Sequence, residues 1–522
     1  MDKETIVRLA NKKKRGLLSL VFSRFVIILL LLIMQVALLV GIYGWLIEYV
    51  SLFSAFMAVF TLLMIIYLFN CDMDATAKLT WMFMIALFPL PTACFLSFTQ
   101  TNAGHNKIKK RVAKLIASTK EAIPQSEEVI RQVREDGSGV AALAAYLGRG
   151  GCFPVFQHTE VTYFPLGEKK FEAMLEELRN AQQYIFMEYF IIEEGYMWGK
   201  ILEVLIEKAK AGVDVRVMYD GMCEVMLLPS DYTRRLSKHG IKAKAFSPIL
   251  PVISSHYNYR DHRKILVIDG KVAFNGGVNL ADEYINRVEK FGHWKDTALM
   301  MKGEAAKSFA LLFLQMWNID EKTPEFLPYL ENGGYRPEHA SGHVMPFGDC
   351  PLDEDKAGEA VYMDILNRAN DYVHIMTPYL ILDGELEASL KYAAQRGVDV
   401  KLILPGIPDK KAAYALAKSH YQTLINAGVK IYEYTPGFVH AKVFVSDDVK
   451  AVVGTINLDY RSLYHHFECG TFLYRADCIA EIEKDFQDTL AKCRRVTPES
   501  IKKEKMSYKL MGGFLKFIAP LM

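Results

Sequence analysis

Cysteine is scarce in this sequence: Cys71, Cys94, Cys152, Cys223, Cys350, Cys469, Cys478 and Cys493 are all there are in 522 residues. No two form a Cys-x-x-Cys pair. That spacing argues against a zinc site and against a disulfide framework, and scattered thiols fit a reducing compartment. Net charge is nearly absent as well: 62 Lys and Arg face 60 Asp and Glu, a formal +2. Bulk charge therefore does not nominate nucleic acid as a partner. No carboxylate cluster at cation-binding spacing is visible, so no metal and no cofactor is expected.

Long apolar runs are what the sequence has instead. Mean hydropathy is positive, +0.09, although 23% of residues are charged. Phe25–Ile47 and Tyr49–Asn70 contain no charged side chain. Each is long enough for a hydrocarbon core of about 30 Å, which takes about 20 residues. A third run from Leu79 past Phe98 is interrupted by Pro89 and Pro91. A signal peptide has a shorter apolar region, so these runs read as membrane segments. Arg8, Lys12, Lys13, Lys14, Arg15 and Arg24 precede the first run, and Lys107, Lys109, Lys110, Arg111 and Lys114 follow the third. Both clusters favour the cytoplasmic side, and three full spans cannot satisfy both. The proline-broken third run is the candidate for a re-entrant segment.

The chain thus divides into an N-terminal membrane domain (1–105, with segments near 25–47, 49–70 and 79–100) and a charged helical connector (106–160). Two similar halves (161–335 and 336–500) and a basic amphipathic tail (501–522) follow. The tail mixes Lys502, Lys503, Lys505, Lys509 and Lys516 with Leu510, Phe514, Leu515, Phe517 and Ile518. It suits either a membrane interface or a helix docked on the body.

The body is a duplication with a period of about 180 residues. Each half opens with a β-like run, Tyr184–Tyr189 and His374–Tyr379, then a helical stretch. Each stretch ends in a glycine followed by alternating valines, at Gly212-Val213-Asp214-Val215 and Gly397-Val398-Asp399-Val400. Glycine past a helix and then a strand, repeated, predicts a mixed α/β sheet flanked by helices. A histidine segment comes next in both halves: His262, Lys264, Asp269, Gly276 and Asn279 in the first, His440, Lys442, Asp447, Gly454 and Asn457 in the second. One His-x-Lys means little. Two copies agreeing at five positions are a strong signal.

Residues i and i+2 of a strand share a face, so His262 projects with Lys264 and His440 with Lys442. The aspartates have the opposite parity and fall where the strand ends, which predicts turn braces. Asn279 and Asn457 follow glycine-bearing turns that let an amide approach an anion. Two facing units supply two imidazoles, two ammonium groups and two amides, a set that suits a phosphodiester. An imidazole used in this way wants a carboxylate to fix its tautomer. Asp296 and Glu468, downstream in the two halves, are the candidates. Glu468 is expected to serve His440, the histidine of its own half. Tyr189 and Tyr379 read as core.

With these residues in place, the sequence resembles the phospholipase D superfamily, whose signature is a duplicated HxKx4D followed by glycine and asparagine. Asp261–Gly270, Gly276–Tyr284 and Gly454–Ser462 are similar to its cardiolipin synthase branch, as is Lys78–Pro89 ahead of the body. The resemblance implies two α/β domains with one active site on a pseudo-twofold axis. It implies His262, Lys264, Asp269, His440, Lys442 and Asp447 as the catalytic set. It also implies phosphatidyl transfer between two phosphatidylglycerol molecules, giving cardiolipin and glycerol through a phosphatidyl-histidine. Family order makes His262 the nucleophile and His440 the acid, with the reverse open. The setting implied is the bacterial plasma membrane, with several spans. Asp448 after Asp447, and Tyr257-Asn258-Tyr259 before the first motif, depart from the pattern without touching a catalytic group.

A hydrolase or headgroup-exchange enzyme would share the first half-reaction. A nuclease on the same pocket would show a basic groove and need no membrane segments, the reverse of this chain. A noncatalytic scaffold would have lost one histidine-lysine pair, and both are intact. Oligomeric state leaves no trace in the sequence.

Overall fold

The strand segments read from the sequence are continuous apolar runs, as in Lys264–Ile268 and Val443–Ser446. Such runs require burial on both faces. The computed structural model describes residues 6–10, 33, 36–37, 41, 50–100, 105–247, 259–331, 335–353 and 355–519. Apart from a few single positions, the apolar run Phe25–Ile47 lies outside these, as do Tyr257 and Asn258.

In the first half, strands are β1 (Thr159–Phe164), β2 (Tyr184–Tyr189), β3 (Asp214–Asp220), β4 (Lys242–Phe246), β5 (Arg260–Asp261), β6 (Lys264–Ile268), β7 (Val272–Gly276), β8 (His293–Lys295) and β9 (Ala298–Gly303). In the second they are β10 (His343–Asp349), β11 (Tyr372–Met376), β12 (Leu380–Ile381), β13 (Asp399–Pro405), β14 (Lys430–Tyr434), β15 (Gly437–Val439), β16 (Val443–Ser446), β17 (Lys450–Gly454), β18 (Leu458–Asp459), β19 (His466–Tyr474) and β20 (Cys493–Arg495). The main sheets run β1-β9-β7-β6-β2-β3-β4 and β10-β19-β17-β16-β11-β13-β14-β20. Within each, one set of three strands is parallel (β2-β3-β4, β11-β13-β14) and the rest is antiparallel. The repeat seen in the sequence is therefore a repeat of topology, and the fold is mixed α/β.

Gly212 and Gly397 take φ of +92° and +100°, the left-handed turn that ends a helix and admits the following parallel strand. Helix Ala306–Trp317 is buried almost all round and lies between the two sheets. Its Phe309 and Phe313 share one core with Val267 and Met301 of the first half and Val443, Val453 and Leu473 of the second. Burying a ring of that size contributes about 2–3 kcal/mol, so the halves are held together by core rather than by surface contact.

The connector does more than connect. Val129, Val133, Val140, Leu143 and Leu147, from helices Glu127–Glu135 and Val140–Gly150, pack into the core of the second half beside Ile365 and Val373. Among the described residues one helix, Ser51–Asn70, is long and apolar enough to cross a membrane. The proline-broken run folds as two shorter helices, Ala75–Leu87 and Pro89–Gln100, parted at Phe88.

Candidate active site

The two short cross-pairings between halves build the site. β5 pairs in parallel with the start of β19, with Arg260 opposite His466 and Asp261 opposite Phe467. β15 pairs in parallel with β8, with Val439 opposite Lys295. Each motif histidine is the next residue along: His262 N–H donates to the Phe467 carbonyl at 2.9 Å, and His440 N–H to the Lys295 carbonyl at 2.7 Å. One residue further, each partner strand presents its carboxylate, Glu468 in one case and Asp296 in the other.

The result is an exchange between halves. His262 Nδ1 lies 2.8 Å from Glu468 Oε1, and His440 Nδ1 lies 2.7 Å from Asp296 Oδ2. The expected pairing of Glu468 with His440 within one half is therefore corrected. Sequence proximity suggested it, but the strand register overrides proximity. Both histidines and both carboxylates are buried. With a carboxylate accepting from Nδ1, the Nε2 lone pair of the neutral ring is left free.

Burial depresses both imidazoles, with the neighbouring lysine adding to it: Lys264 for His262 and Lys442 for His440. His262 falls well below its ordinary range and His440 falls to about 4. The two carboxylates diverge. Burial would raise Asp296, but His440, Lys442 and the Thr297 N–H outweigh it and hold the group below its usual range. Burial wins at Glu468 and pushes it well up, against Lys264 and the Thr455 hydroxyl. Asp296 is thus the stronger anion, and it sits beside His440.

The lysines lie on the histidine face, as strand parity requires. Lys264 Nζ donates to the His262 carbonyl, and Lys442 Nζ to the His440 carbonyl. Burial brings them down to about 8 and about 7. A bound phosphodiester anion would restore their charge, since a nearby negative charge favours the ammonium.

The motif aspartates do not join this group. Asp269 accepts from the backbone N–H groups of Gln182, Gln183 and Tyr184 at 2.8 Å each, and Asp447 from those of Asn370, Asp371 and Tyr372 at 2.8–3.0 Å. Both take positive φ, 53° and 54°, at the hairpins between β6 and β7 and between β16 and β17. They tie the hairpin to the neighbouring strand's entry, on the side to which strand parity assigned them. Asn279 is partly committed too, accepting from Ile191 N–H at 3.0 Å and donating to Tyr284 Oη at 2.9 Å. Asn457 Oδ1 is buried with no hydrogen-bond partner among the described residues.

Several residues at the site had no signal in the sequence. Phe190 lies 5.0 Å and His466 5.3 Å from the His262 ring, ring centre to ring centre. Tyr284 and Trp294 lie 5.4 and 5.5 Å from His440. Lys170, from helix Gly167–Asn180, is fully buried and donates to the Val278 carbonyl at 3.1 Å. Burial brings this third ammonium to about 7. Its sequence context, Glu168-Lys169-Lys170-Phe171-Glu172, looks like an ordinary solvated helix face. His374 and His420, outside this group, are paired with Glu483 and Glu387. His262, His466 and Glu468 place ligand atoms close enough to hold a metal ion. The ammonium groups of Lys264 and Lys442 next to His262 oppose a cation there.

Residues 174–317 and 362–490 match the family described as "Cardiolipin synthase, PLD-like domain". Cardiolipin synthase 2 of Bacillus anthracis is 33% identical over 85% of this chain and 86% of its own length. Cardiolipin synthase of Halalkalibacterium halodurans is 31% identical over 92% and 95%. The phosphatidylserine synthase structure from Haemophilus influenzae superposes with a TM-score of 0.54 at 14% identity, covering 71% of this chain and 95% of that one. The last likeness bears on the fold alone. Matched twice along its length, once in each half of the duplicated sheet, the chain belongs to the cardiolipin synthase branch of the phospholipase D-like superfamily and is a phosphatidyltransferase.

Proposed function

We propose that this enzyme joins two phosphatidylglycerol molecules into cardiolipin and glycerol, at a bacterial plasma membrane into which its N-terminal segments insert. The two catalytic halves are proposed to run 161–335 and 336–500. The observation that carries this reading is the pair of buried histidine–carboxylate contacts, His262 with Glu468 and His440 with Asp296, set beside Lys264 and Lys442.

His262, beside the carboxyl that burial keeps closer to neutral, attacks phosphorus through its free ring nitrogen. The P–O bond to the glycerol headgroup breaks, a P–N bond forms, and His440, brought to its imidazolium form by the bound phosphodiester anion beside Asp296, gives the departing alkoxide its proton. Asp296 favours this because an ionised neighbour stabilises the imidazolium form of His440. A headgroup hydroxyl of the second phosphatidylglycerol then attacks the phosphatidyl-histidine. His440 takes that proton, and the P–N bond breaks to release cardiolipin. Lys264, Lys442, Asn279 and Asn457 hold the nonbridging oxygens, and Asp296 and Glu468 orient the rings. Each step conserves charge and protons within the two imidazoles, so no metal is called for.

The test is the product formed by the purified full-length enzyme from phosphatidylglycerol alone. Cardiolipin and glycerol in equal amounts support the reading. Phosphatidic acid as the sole lipid product would make the enzyme a hydrolase, and products that depend on an added alcohol would make it a headgroup-exchange enzyme.

A further inference from the structure

His466 and Glu468 stand two residues apart in β19, so their side chains leave the strand on one face. That face is turned to His262. Glu468 Oε1 lies 2.8 Å from His262 Nδ1 and 3.5 Å from His466 Nδ1. One carboxylate oxygen thus meets two imidazoles, whose ring centres are 5.3 Å apart at a tilt of 41°. The His466 side chain is only 10% exposed, and Phe190 stacks on it at 6.5 Å.

The two distances set two tautomers. At 2.8 Å Glu468 fixes a proton on His262 Nδ1 and leaves Nε2 as the lone pair. At 3.5 Å the His466 contact is too long for a good hydrogen bond, and its Nδ1 has no hydrogen-bond partner among the described residues. Nothing holds the His466 proton on Nδ1, so the ring is free to carry it on Nε2. Both rings turn Nδ1 to the same oxygen, and both therefore turn Nε2 away from it. Beside the lone pair of His262 the protein can present an N–H.

The equivalent place in the first half holds Trp294, two residues before Asp296 as His466 is two before Glu468. Its ring lies 5.5 Å from His440, and its indole N–H is buried with no hydrogen-bond partner among the described residues. One histidine is walled by an indole and the other by an imidazole. Charge also favours an anion on the His466 side. Burial depresses the His466 imidazole well below its ordinary range, and Arg461, His465, Lys264 and Arg260 add to it. The cations among them attract a phosphodiester, and a neutral N–H binds its oxygen without needing a charge of its own.

We propose that His466 is a further phosphate-binding residue, its Nε2–H donating to a nonbridging oxygen of the phosphatidyl group while His262 attacks phosphorus and carries the group. Two imidazoles side by side then divide the work by tautomer: one supplies electrons to phosphorus, and the other stabilises the charge that collects on its oxygen. The proposal rests on the phosphatidyltransferase reading above, with His262 as nucleophile.

The experiment uses the full-length enzyme in excess over a phosphatidyl ester of p-nitrophenol. Nitrophenolate release in a single turnover reads transfer to the histidine alone, whichever alcohol or water accepts the group afterwards. His466→Phe keeps a ring but removes the donor, and should slow release roughly 10- to 150-fold, the range for a hydrogen bond to a charged group. His466→Gln sets an amide N–H where Nε2 stood and should keep most of the rate. His466→Asn reaches only as far as Nδ1 and should be as slow as His466→Phe. Full rate in His466→Phe, or equal loss in His466→Phe and His466→Gln, overturns the donor role. Sulfur in place of one nonbridging oxygen gives a readout that a purely structural role would not move. For one phosphorothioate diastereomer the sulfur penalty should shrink in His466→Phe relative to the unaltered enzyme. An unchanged penalty for both diastereomers overturns the contact. So does a phosphatidyl label trapped on His440 in place of His262. Activity lost in chelator and restored by one metal would make His466 a ligand and overturn the donor role as well. An unaltered enzyme that releases nitrophenolate but makes no cardiolipin would count against the synthase reading alone, and the His466 comparison would stand on that release.

Discussion

Asp296→Asn is the substitution that separates the two histidines' roles. The change removes one charge from a buried 2.7 Å contact with His440 while keeping the side chain's size. A hydrogen bond to a charged group contributes about 1.5–3 kcal/mol. At about 1.4 kcal/mol per factor of ten, that corresponds to roughly 10- to 150-fold in rate if the bond matters only when His440 carries the proton. The assay compares two donors, phosphatidylglycerol and a phosphatidyl ester of p-nitrophenol. A nitrophenolate leaves without a proton, so the ester should restore most of the rate lost by Asp296→Asn. Glu468→Gln should be slow with both donors, because it acts on His262 and attack on phosphorus is still required. Melting temperatures measured alongside separate catalysis from folding. Rescue of Glu468→Gln but not of Asp296→Asn would exchange the roles of the two histidines. Full activity in both variants at unchanged melting temperature would refute the orienting role.

His262→Ala and His440→Ala should each lower turnover at least about 10²- to 10⁴-fold, and acid-free trapping during turnover should label a peptide containing His262. Label on the His440 peptide would reverse the assignment. Asp269→Asn should lower the melting temperature more than it lowers turnover, by about 1–3 kcal/mol, since the carboxylate serves three backbone N–H groups and no reacting atom. A variant as stable as the parent but slow would contradict that. Stability should fall with acid. His440 drops from 6.5 to about 4 on folding, so between those values the unfolded chain binds the extra proton and unfolding is favoured as pH decreases. The contribution is about 3 kcal/mol, fully present above pH 6.5 and lost by pH 4. A melting-temperature profile of His440→Gln should be flatter over that window, and an equally steep one would refute the linkage. Finally, turnover should survive a chelator, because Lys264 and Lys442 supply the positive charge. Activity restored only by one metal in stoichiometric amount would refute it.

What the sequence disclosed, it disclosed through local geometry. Strand parity placed Lys264 beside His262 and turned Asp269 away from it, and both statements depend on residues no more than seven apart. The glycine-valine segments announced the helix-to-strand turns for the same reason. The carboxylate pairing was out of reach because it depends on β5 with β19 and β8 with β15, contacts between residues about 140 to 210 apart with no pattern of their own. Lys170 was hidden for a different reason. Its burial follows from where helix Gly167–Asn180 lands on Val278, while its sequence neighbours are those of a solvated face. The connector's apolar residues were likewise present to be read, but which half they would pack into was not.

The exchange of carboxylates also explains why there is one site rather than two. Each half carries a histidine, a lysine and a carboxylate, and so holds on paper the parts of a separate centre. But each carboxylate stands next to residues that pair with the other half: Asp296 follows β8, which pairs with β15, and Glu468 lies in β19 just past the residues that pair with β5. His262 without the second half loses Glu468 and the Phe467 carbonyl together, and His440 without the first loses Asp296 and the Lys295 carbonyl. The same backbone pairing that closes the interface sets both rings, so docking of the halves and assembly of the catalytic pair are one event. The asymmetry of roles then needs no asymmetry of topology. In the proposed mechanism it follows the two carboxylates: Asp296 is held below the usual carboxylate range beside His440 and Lys442, while burial outweighs the cations around Glu468.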